Sequence, residues 1–343
     1  MDRVAVIFGG RSTEHAISLI SAEAVINAID RSKHQIVMIG ITLEGEWKLY
    51  NGPIELISSG KWEEQAVDLP IDRLPDVADF CFPVLHGVNG EDGTIQGLFE
   101  MMDMPYAGCG VLGSALAMDK VAAKMVFKAN GIPTPDFKLV RSSDVKEHAG
   151  WEAVLCENHL DYPMFVKPAN AGSSVGISKV RNRDELIDGL YEAARYDSRI
   201  IVEHGIDARE VETGVIGNEV PHVSVVGEIR ATHEFYDFEA KYSDNAGTQI
   251  IIPANLKEKH VDEIKEIAAN TYRALDLAGF ARIDFLLEHG TGKVLVNEVN
   301  TIPGFTKYSM FPMLWKQAGV SFTELTERIM EYGYERYNAK NNR

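Results

Sequence analysis

Ala281-Arg282-Ile283-Asp284-Phe285-Leu286-Leu287 and Val294-Leu295-Val296-Asn297-Glu298-Val299-Asn300 are joined through Glu288-His289-Gly290-Thr291-Gly292, and they read as two strands of a β-hairpin. Side chains two apart on a strand share a face. Arg282 and Asp284 therefore point one way from the first strand, and Glu298 and Asn300 share a face on the second. Pairing across the turn brings Asp284 close to Glu298 and Asn300, giving two carboxylates and an amide oxygen beside an arginine. Hard Mg²⁺ takes oxygen ligands of this kind, completed by water and substrate phosphates, and Glu298 is placed to bridge two ions. The same residues also read as a solvated hairpin face. The apolar flanks Ile283, Phe285 and Val294-Leu295-Val296 favour a buried sheet, where acidic groups need partners.

Working outward, Val4–Phe8 is a short apolar run ending in Gly9-Gly10, the pattern of a buried parallel strand entering a loop. A helix over Glu14–Ile29 follows, then strands over His34–Thr42 and Asp79–Leu85, the last ending at His86-Gly87. This is an α/β unit, and ligands gather where such strands end. A helix over Met118–Asn130 is stopped by Gly131, Pro133 and Pro135. Strands Met164–Lys167, Gly176–Val180 and Ile200–Glu203, with a helix over Asp184–Tyr196, describe a small α+β middle domain. Strands Val211–Ile216, His222–Ile229 and Gln249–Pro253, a helix over Lys257–Leu277, the hairpin and a helix over Phe322–Tyr337 complete the chain. The expected divisions are residues 1–108, 109–204 and 205–343.

The 343 residues suit two or three domains. An apolar content of 45% and a charged content of 25% supply a sizeable core, and exclude a disordered chain, a fibre and a small disulfide scaffold. Lys and Arg number 34 against 51 Asp and Glu, a net charge of −17, which makes a poor general binder of nucleic acid or anionic membrane. A nucleotide pocket needs only a few placed lysines and stays open. Cys81, Cys109 and Cys156 form no CxxC pair, so neither a disulfide framework nor a cysteine zinc site is supported. The apolar run at the N-terminus is shorter than the ~7–15 residues of a signal-peptide core. No stretch reaches the ~18 apolar residues of a membrane span. The expectation is a soluble cytoplasmic protein.

No GxxxxGK[ST] motif occurs. One GxGxxG does, Gly108–Gly113, but it follows a poor core strand and does not open a βαβ unit, so a dinucleotide-dependent oxidoreductase rests on that match alone. Lys120 starts a helix, and Lys167 ends a strand before Pro168 and Ala171-Gly172-Ser173-Ser174-Val175-Gly176. Small residues let backbone N–H groups approach an anion and the serines add hydroxyl donors, so this segment reads as a phosphate cradle or as an exposed polar turn. Glu203 and Glu210 are candidate acceptors for an adenine amino group and a ribose hydroxyl.

Further stretches add to these: Phe8-Gly9-Gly10 with Glu14 and Ser18; His86-Gly87-Val88-Asn89-Gly90-Glu91-Asp92-Gly93; Met118-Asp119-Lys120; Tyr236-Asp237-Phe238-Glu239-Ala240-Lys241-Tyr242; and Asn297 through Gly304. In this order and spacing the chain resembles the D-alanine–D-alanine ligases of the ATP-grasp superfamily, over nearly its whole length. The resemblance implies an α/β, three-domain ATP-grasp fold with an N-terminal parallel-sheet α/β domain and ATP clasped between the second and third domains. It implies that ATP phosphorylates one D-alanine, whose acyl phosphate is attacked by the amine of a second, giving a dipeptide for peptidoglycan synthesis.

On that resemblance Lys120, Lys167 and Ser174 hold ATP phosphates, with Glu203 and Glu210 at adenine and ribose. Asp284, Glu298 and Asn300 bind two Mg²⁺ ions, with Mn²⁺ as a substitute. Arg282 and the Gly304 N–H stabilise the tetrahedral oxyanion. Glu14 receives the first ammonium group, hydrogen-bonded with Ser173 and Tyr242, and His86 orients that substrate. Lys241, Ser309 and Met310 receive the second. Read by themselves, Glu14 suits a helix's first turn and His86 a satisfied core histidine. A lid over His233–Gln249 is expected to keep water from the acyl phosphate. The resemblance also suggests a homodimer. Tyr236, Lys241, Tyr242 and Met310 favour D-alanine at both sites, against a D-alanine–D-serine ligase or a non-catalytic ATP-binding regulator on the same fold. His204 departs from the lysine that relatives often carry there.

Overall fold

The computed structural model describes residues 1–172, 175–230 and 249–341. The opening apolar run becomes β1 (Asp2–Gly9). With β2 (His34–Ile41), β3 (Trp47–Tyr50), β4 (Val67–Asp68) and β5 (Phe80–Pro83) it forms a sheet of order β4-β3-β2-β1-β5. β1 runs parallel to both β2 and β5, whereas β3 and β4 add an antiparallel edge. Val4, Val6 and Phe8 face a core shared with the helices His15–Ala28 and Phe322–Asn341, while Ala5 and Ile7 face Ile95 and Phe99 on the other side. Burial on both faces is why β1 reads as an unbroken apolar run rather than an alternating one.

The second sheet consists of β6 (Phe137–Arg141), β7 (Met164–Pro168), β8 (Ser178–Val180) and β9 (Arg199–His204), in the antiparallel order β6-β9-β7-β8. The helices Ser142–Glu157 and Arg183–Ala193 back it. The third sheet takes β10 (Ala208–Gly217), β11 (His222–Arg230), β12 (Gln249–Ile251), β13 (Gly279–Glu288) and β14 (Val294–Asn300), in the antiparallel order β12-β11-β10-β13-β14. The helix Glu258–Ala274 covers its core face through Ile264, Ala268 and Tyr272.

The helix expected over Met118–Asn130 is present as Lys120–Ala129, and a separate helix, Val111–Met118, directly precedes it. Asp119 breaks them apart because its backbone is extended and its carboxylate accepts the Ala122 N–H at 2.8 Å, capping the second helix. Ala117, Ala123 and Phe127 of this pair pack with Val211, Phe285 and Val296 of the third sheet. The second helix therefore carries Lys120 between the second and third sheets. The last helix returns to the first sheet: the Tyr334 ring lies 4.7 Å from Phe80, and the Arg336 guanidinium sits 4.0 Å above the Tyr106 ring. Among the described residues no helix is long and apolar enough to cross a membrane.

Trp62 anchors the first sheet. It is fully buried, packs edge-on to Phe8 with centroids 5.2 Å apart, and covers Gly40 so closely that a Cβ there would fall 2.2 Å from its ring. Trp62→Ala is expected to lower the unfolding free energy by about 3–5 kcal/mol through the cavity it leaves. Urea titration followed by circular dichroism measures this.

Candidate active site

A cavity of about 690 Å³ opens between the sheets. Glu14, His86, Lys120, Lys167, Glu203, Glu210, Arg282, Asp284, Glu298, Asn300, Gly304, Ser309 and Met310 all line it. Ser173, Ser174, Tyr236, Lys241 and Tyr242, with the expected lid up to its last residue, lie outside the described residues.

The hairpin β13–β14 makes one wall. Asp284 pairs with Glu298 and Arg282 with Asn300, but Phe285 pairs with Val296, leaving Asn297 as an extra residue. This bulge has a specific effect. Val294 and Val296 face the core, so unbroken alternation would send Glu298 and Asn300 into the core as well. The inserted residue re-aims both at the cavity, a common use of bulges beside functional sites.

Arg282 holds this wall together. Its Nε and Nη2 each donate at 2.7 Å to the two oxygens of Asp284, and Nε lies 2.9 Å from Glu212 Oε2 on the neighbouring β10. Burial alone would lower the guanidinium pKa, yet Asp284 and Glu212 outweigh it and hold the group well above its ordinary value. Asn300 Nδ2 donates to Asp284 Oδ2 at 3.0 Å. Glu212 was not among the sequence candidates. The signal was available, since Glu210 and Glu212 share a face of one strand.

The opposite wall is cationic. Lys120 Nζ donates to the Ala171 carbonyl at 2.9 Å and lies 3.7 Å from Glu298 Oε2. Lys167 Nζ is 2.6 Å from Glu203 Oε2, and the unanticipated Lys124 is 3.0 Å from Glu203 Oε1. Burial would raise Glu203, but the two ammonium groups prevail and hold it down to about 2. His204 is turned toward the Asp161 carbonyl, with Nδ1 at 3.0 Å.

At the third edge, Glu14 directly precedes the helix His15–Ala28. A Cβ at Gly87 or Gly172 would fall 2.4 or 2.5 Å from Glu14 Oε2, so the carboxylate sits closely against both, and the φ of +73° at Gly87 favours glycine there. His86 is buried and uses both ring nitrogens: Nδ1–H donates to the Ile302 carbonyl at 2.8 Å, and Nε2 accepts from Ser21 at 3.0 Å. Burial lowers its pKa, consistent with this neutral tautomer. His86 therefore braces the loop that leads to Gly304. Ser309 Oγ accepts the Thr306 N–H at 3.0 Å, and Met310 is buried.

Two carboxylates and an amide oxygen on one face suit a hard divalent cation. Among the described residues no group of three or more His, Cys, Asp or Glu side chains could cage a metal by itself, so substrate and water would complete the shell. Glu91, also without a role from sequence, accepts the Gly87 N–H at 3.0 Å and the Ile302 N–H at 3.1 Å. Burial, then the Glu14 charge, push it from 4.5 up to about 7. A carboxyl raised on folding favours the folded state below its unfolded pKa, and that contribution is lost as pH rises through the folded value. Relative to Glu91→Gln, the wild type is expected to lose about 2 kcal/mol of stability between pH 5 and 8, measured by denaturant titration at each pH.

Family models described as D-ala D-ala ligase N-terminus and C-terminus match residues 3–109 and 126–331. A D-alanine–D-alanine ligase of Thermoanaerobacter sp. (strain X514) is 47% identical, with 98% of each chain covered. One of Geobacillus thermodenitrificans is also 47% identical, with 98% of this chain and 97% of the relative covered. Among solved structures, the VanG D-Ala:D-Ser ligase of Enterococcus faecalis superposes with a TM-score of 0.88 at 36% identity, covering 97% of this chain and 99% of that one. The D-alanine–D-alanine ligase of Coxiella burnetii gives 0.85 at 32% identity, covering 100% and 98%. The mixed α/β architecture is the ATP-grasp fold, and the chain belongs to the D-alanine–D-alanine ligase family.

Proposed function

We propose that this protein is an ATP-dependent ligase joining two D-alanine molecules, through D-alanyl phosphate, into D-alanyl-D-alanine for peptidoglycan synthesis. One observation carries the reading: a single cavity sets Lys120 and Lys167 across from Arg282, Asp284, Glu298 and Asn300, with Glu14 at its edge. A carboxylate is a poor electrophile. Transfer of the terminal phosphoryl group of ATP onto its oxygen releases ADP and supplies a leaving group. The free amine of the second substrate then attacks the carbonyl carbon, forming the C–N bond; the C–O bond breaks, phosphate departs with that oxygen and the bonding pair, and the nitrogen gives up a proton to leave the amide.

Lys120, Lys167 and Ser174 bind the phosphates, and Glu203 and Glu210 the adenine and ribose. Glu14, with Ser173 and Tyr242, receives the first ammonium group beside His86. Arg282 and the Gly304 N–H meet the oxyanion as the tetrahedral centre forms. Lys241, Ser309 and Met310 receive the second substrate, and an apolar Met310 suits a methyl group better than a hydroxyl. Asp284, Glu298 and Asn300 would hold two Mg²⁺ ions, or Mn²⁺ in their place; such cations, when bound, neutralise phosphoryl charge. The same proposal includes domains at 1–108, 109–204 and 205–343, a cytoplasmic homodimer, and no nucleic-acid or membrane partner.

Phosphate release with D-alanine, D-serine, D-lactate and L-alanine in parallel, followed by product separation, tests the activity. D-Alanyl-D-alanine is expected as the main product; none with D-alanine would end the proposal, and a predominant mixed product with D-serine would establish the D-serine ligase instead. Arg282→Lys keeps a charge but loses the forked grip, and kcat is expected to fall roughly 10²–10³-fold with the fold retained, as for loss of one oxyanion donor. Steady-state kinetics beside a thermal melt measure both. Light scattering tests the dimer.

A further inference from the structure

Lys124 has the environment of a core residue. On the helix Lys120–Ala129 the buried positions Val121, Lys124 and Phe127 recur every third residue, so the lysine occupies an apolar stripe. It is 1% exposed. A charge buried this deeply persists only when paired and hydrogen-bonded. Both conditions hold: Nζ lies 3.0 Å from Glu203 Oε1 and donates to Thr134 Oγ1 at 2.8 Å. Thr134 in turn donates to the Val296 carbonyl at 2.9 Å, on the strand that carries Glu298. Lys124 is absent from the cavity lining.

Lys167 shares the same carboxylate but does line the cavity. In the ATP reading, on which this inference rests, Lys167 turns to the phosphates and Glu203 accepts the adenine amino group. Glu203 is 3% exposed, and it would then lose half its counter-charge at the moment it must hold its geometry. We propose that Lys124 is a positioning residue for the nucleotide: it is the permanent counter-ion that keeps Glu203 aimed at the adenine while Lys167 is drawn to phosphate, and through Thr134 it ties the adenine pocket to the metal-binding strand. Lys120 and Lys124, one helical turn apart, thus divide the labour, the first facing the ligand and the second facing the residue that reads it.

The test uses the full chain. Wild type, Lys124→Met, Glu203→Gln and the double variant are compared for ATP and for ITP, which has an oxo group in place of the adenine amino group. Lys124→Met is expected to raise KM for ATP about tenfold or more, with kcat at saturating ATP and KM for D-alanine within about twofold, and to erode the preference for ATP over ITP. In the Glu203→Gln background the same substitution is expected to add nothing further. An unchanged KM for ATP, additive effects in the double variant, or an equal rise in KM for D-alanine would overturn the proposal. If Lys124→Met does not fold, Thr134→Val carries the test, with an expected rise of about threefold in KM for ATP and no change overturning it. A wild type that fails to bind ATP sinks the underlying reading instead. ATP binding that Glu203→Gln weakens and Lys124→Met leaves intact sinks only the role given to Lys124.

Discussion

The active-site wall depends on one guanidinium. Arg282 lies between Asp284 on its own strand and Glu212 on the next, with Glu298 and Asn300 across the hairpin. Three carboxylates gathered on one face would repel one another and stay solvated without it. Removing one member of such a buried group typically costs about 3–5 kcal/mol, because the others are left unpaired. The pairing does more than stabilise. It preorganises the acids before any ligand arrives, so little reorganisation is left for the reaction itself.

Lys120 and Lys167 come from the helix and strand on one side of the cleft, with Glu203 of β9 beside Lys167, and Glu212, Asp284 and Glu298 come from β10, β13 and β14 on the other. A chain with a net charge of −17 thereby still sets two lysines into one cavity. Glu91 and His86 work at the join. Each binds the backbone at Ile302 and thereby fixes the loop leading to Gly304 against the end of β5.

The grouping of Arg282, Asp284, Glu298 and Asn300 was legible because they lie two apart on strands with apolar flanks. The bulge at Asn297 was not. Val294, Val296, Glu298 and Asn300 are all of one parity, and only the register shows that the first two and the last two face opposite ways. Long strands such as β1 announced themselves by an unbroken apolar run, while β3 and β4 are too short to carry a period. Asp119 shows another limit: a helix cap inside a helical pattern reads as a helical residue until its backbone is seen. Lys124 was passed over because a lysine on a helix normally faces water. Its place in the stripe Val121–Phe127 was the overlooked sign.

The helix Phe322–Asn341 brings Leu325, Ile329 and Met330 into the same core as Val4, Val6 and Phe8. That face of β1 is covered in part by the nearby helix His15–Ala28 and by Trp62, and its cover is completed by a helix far along the sequence. Contacts spanning almost the whole sequence slow folding, because a long loop must close before they form. Until that far helix docks, the part of the apolar face that Leu325, Ile329 and Met330 complete stays open, and that is the interval in which chaperone capture or aggregation competes with completion of the fold.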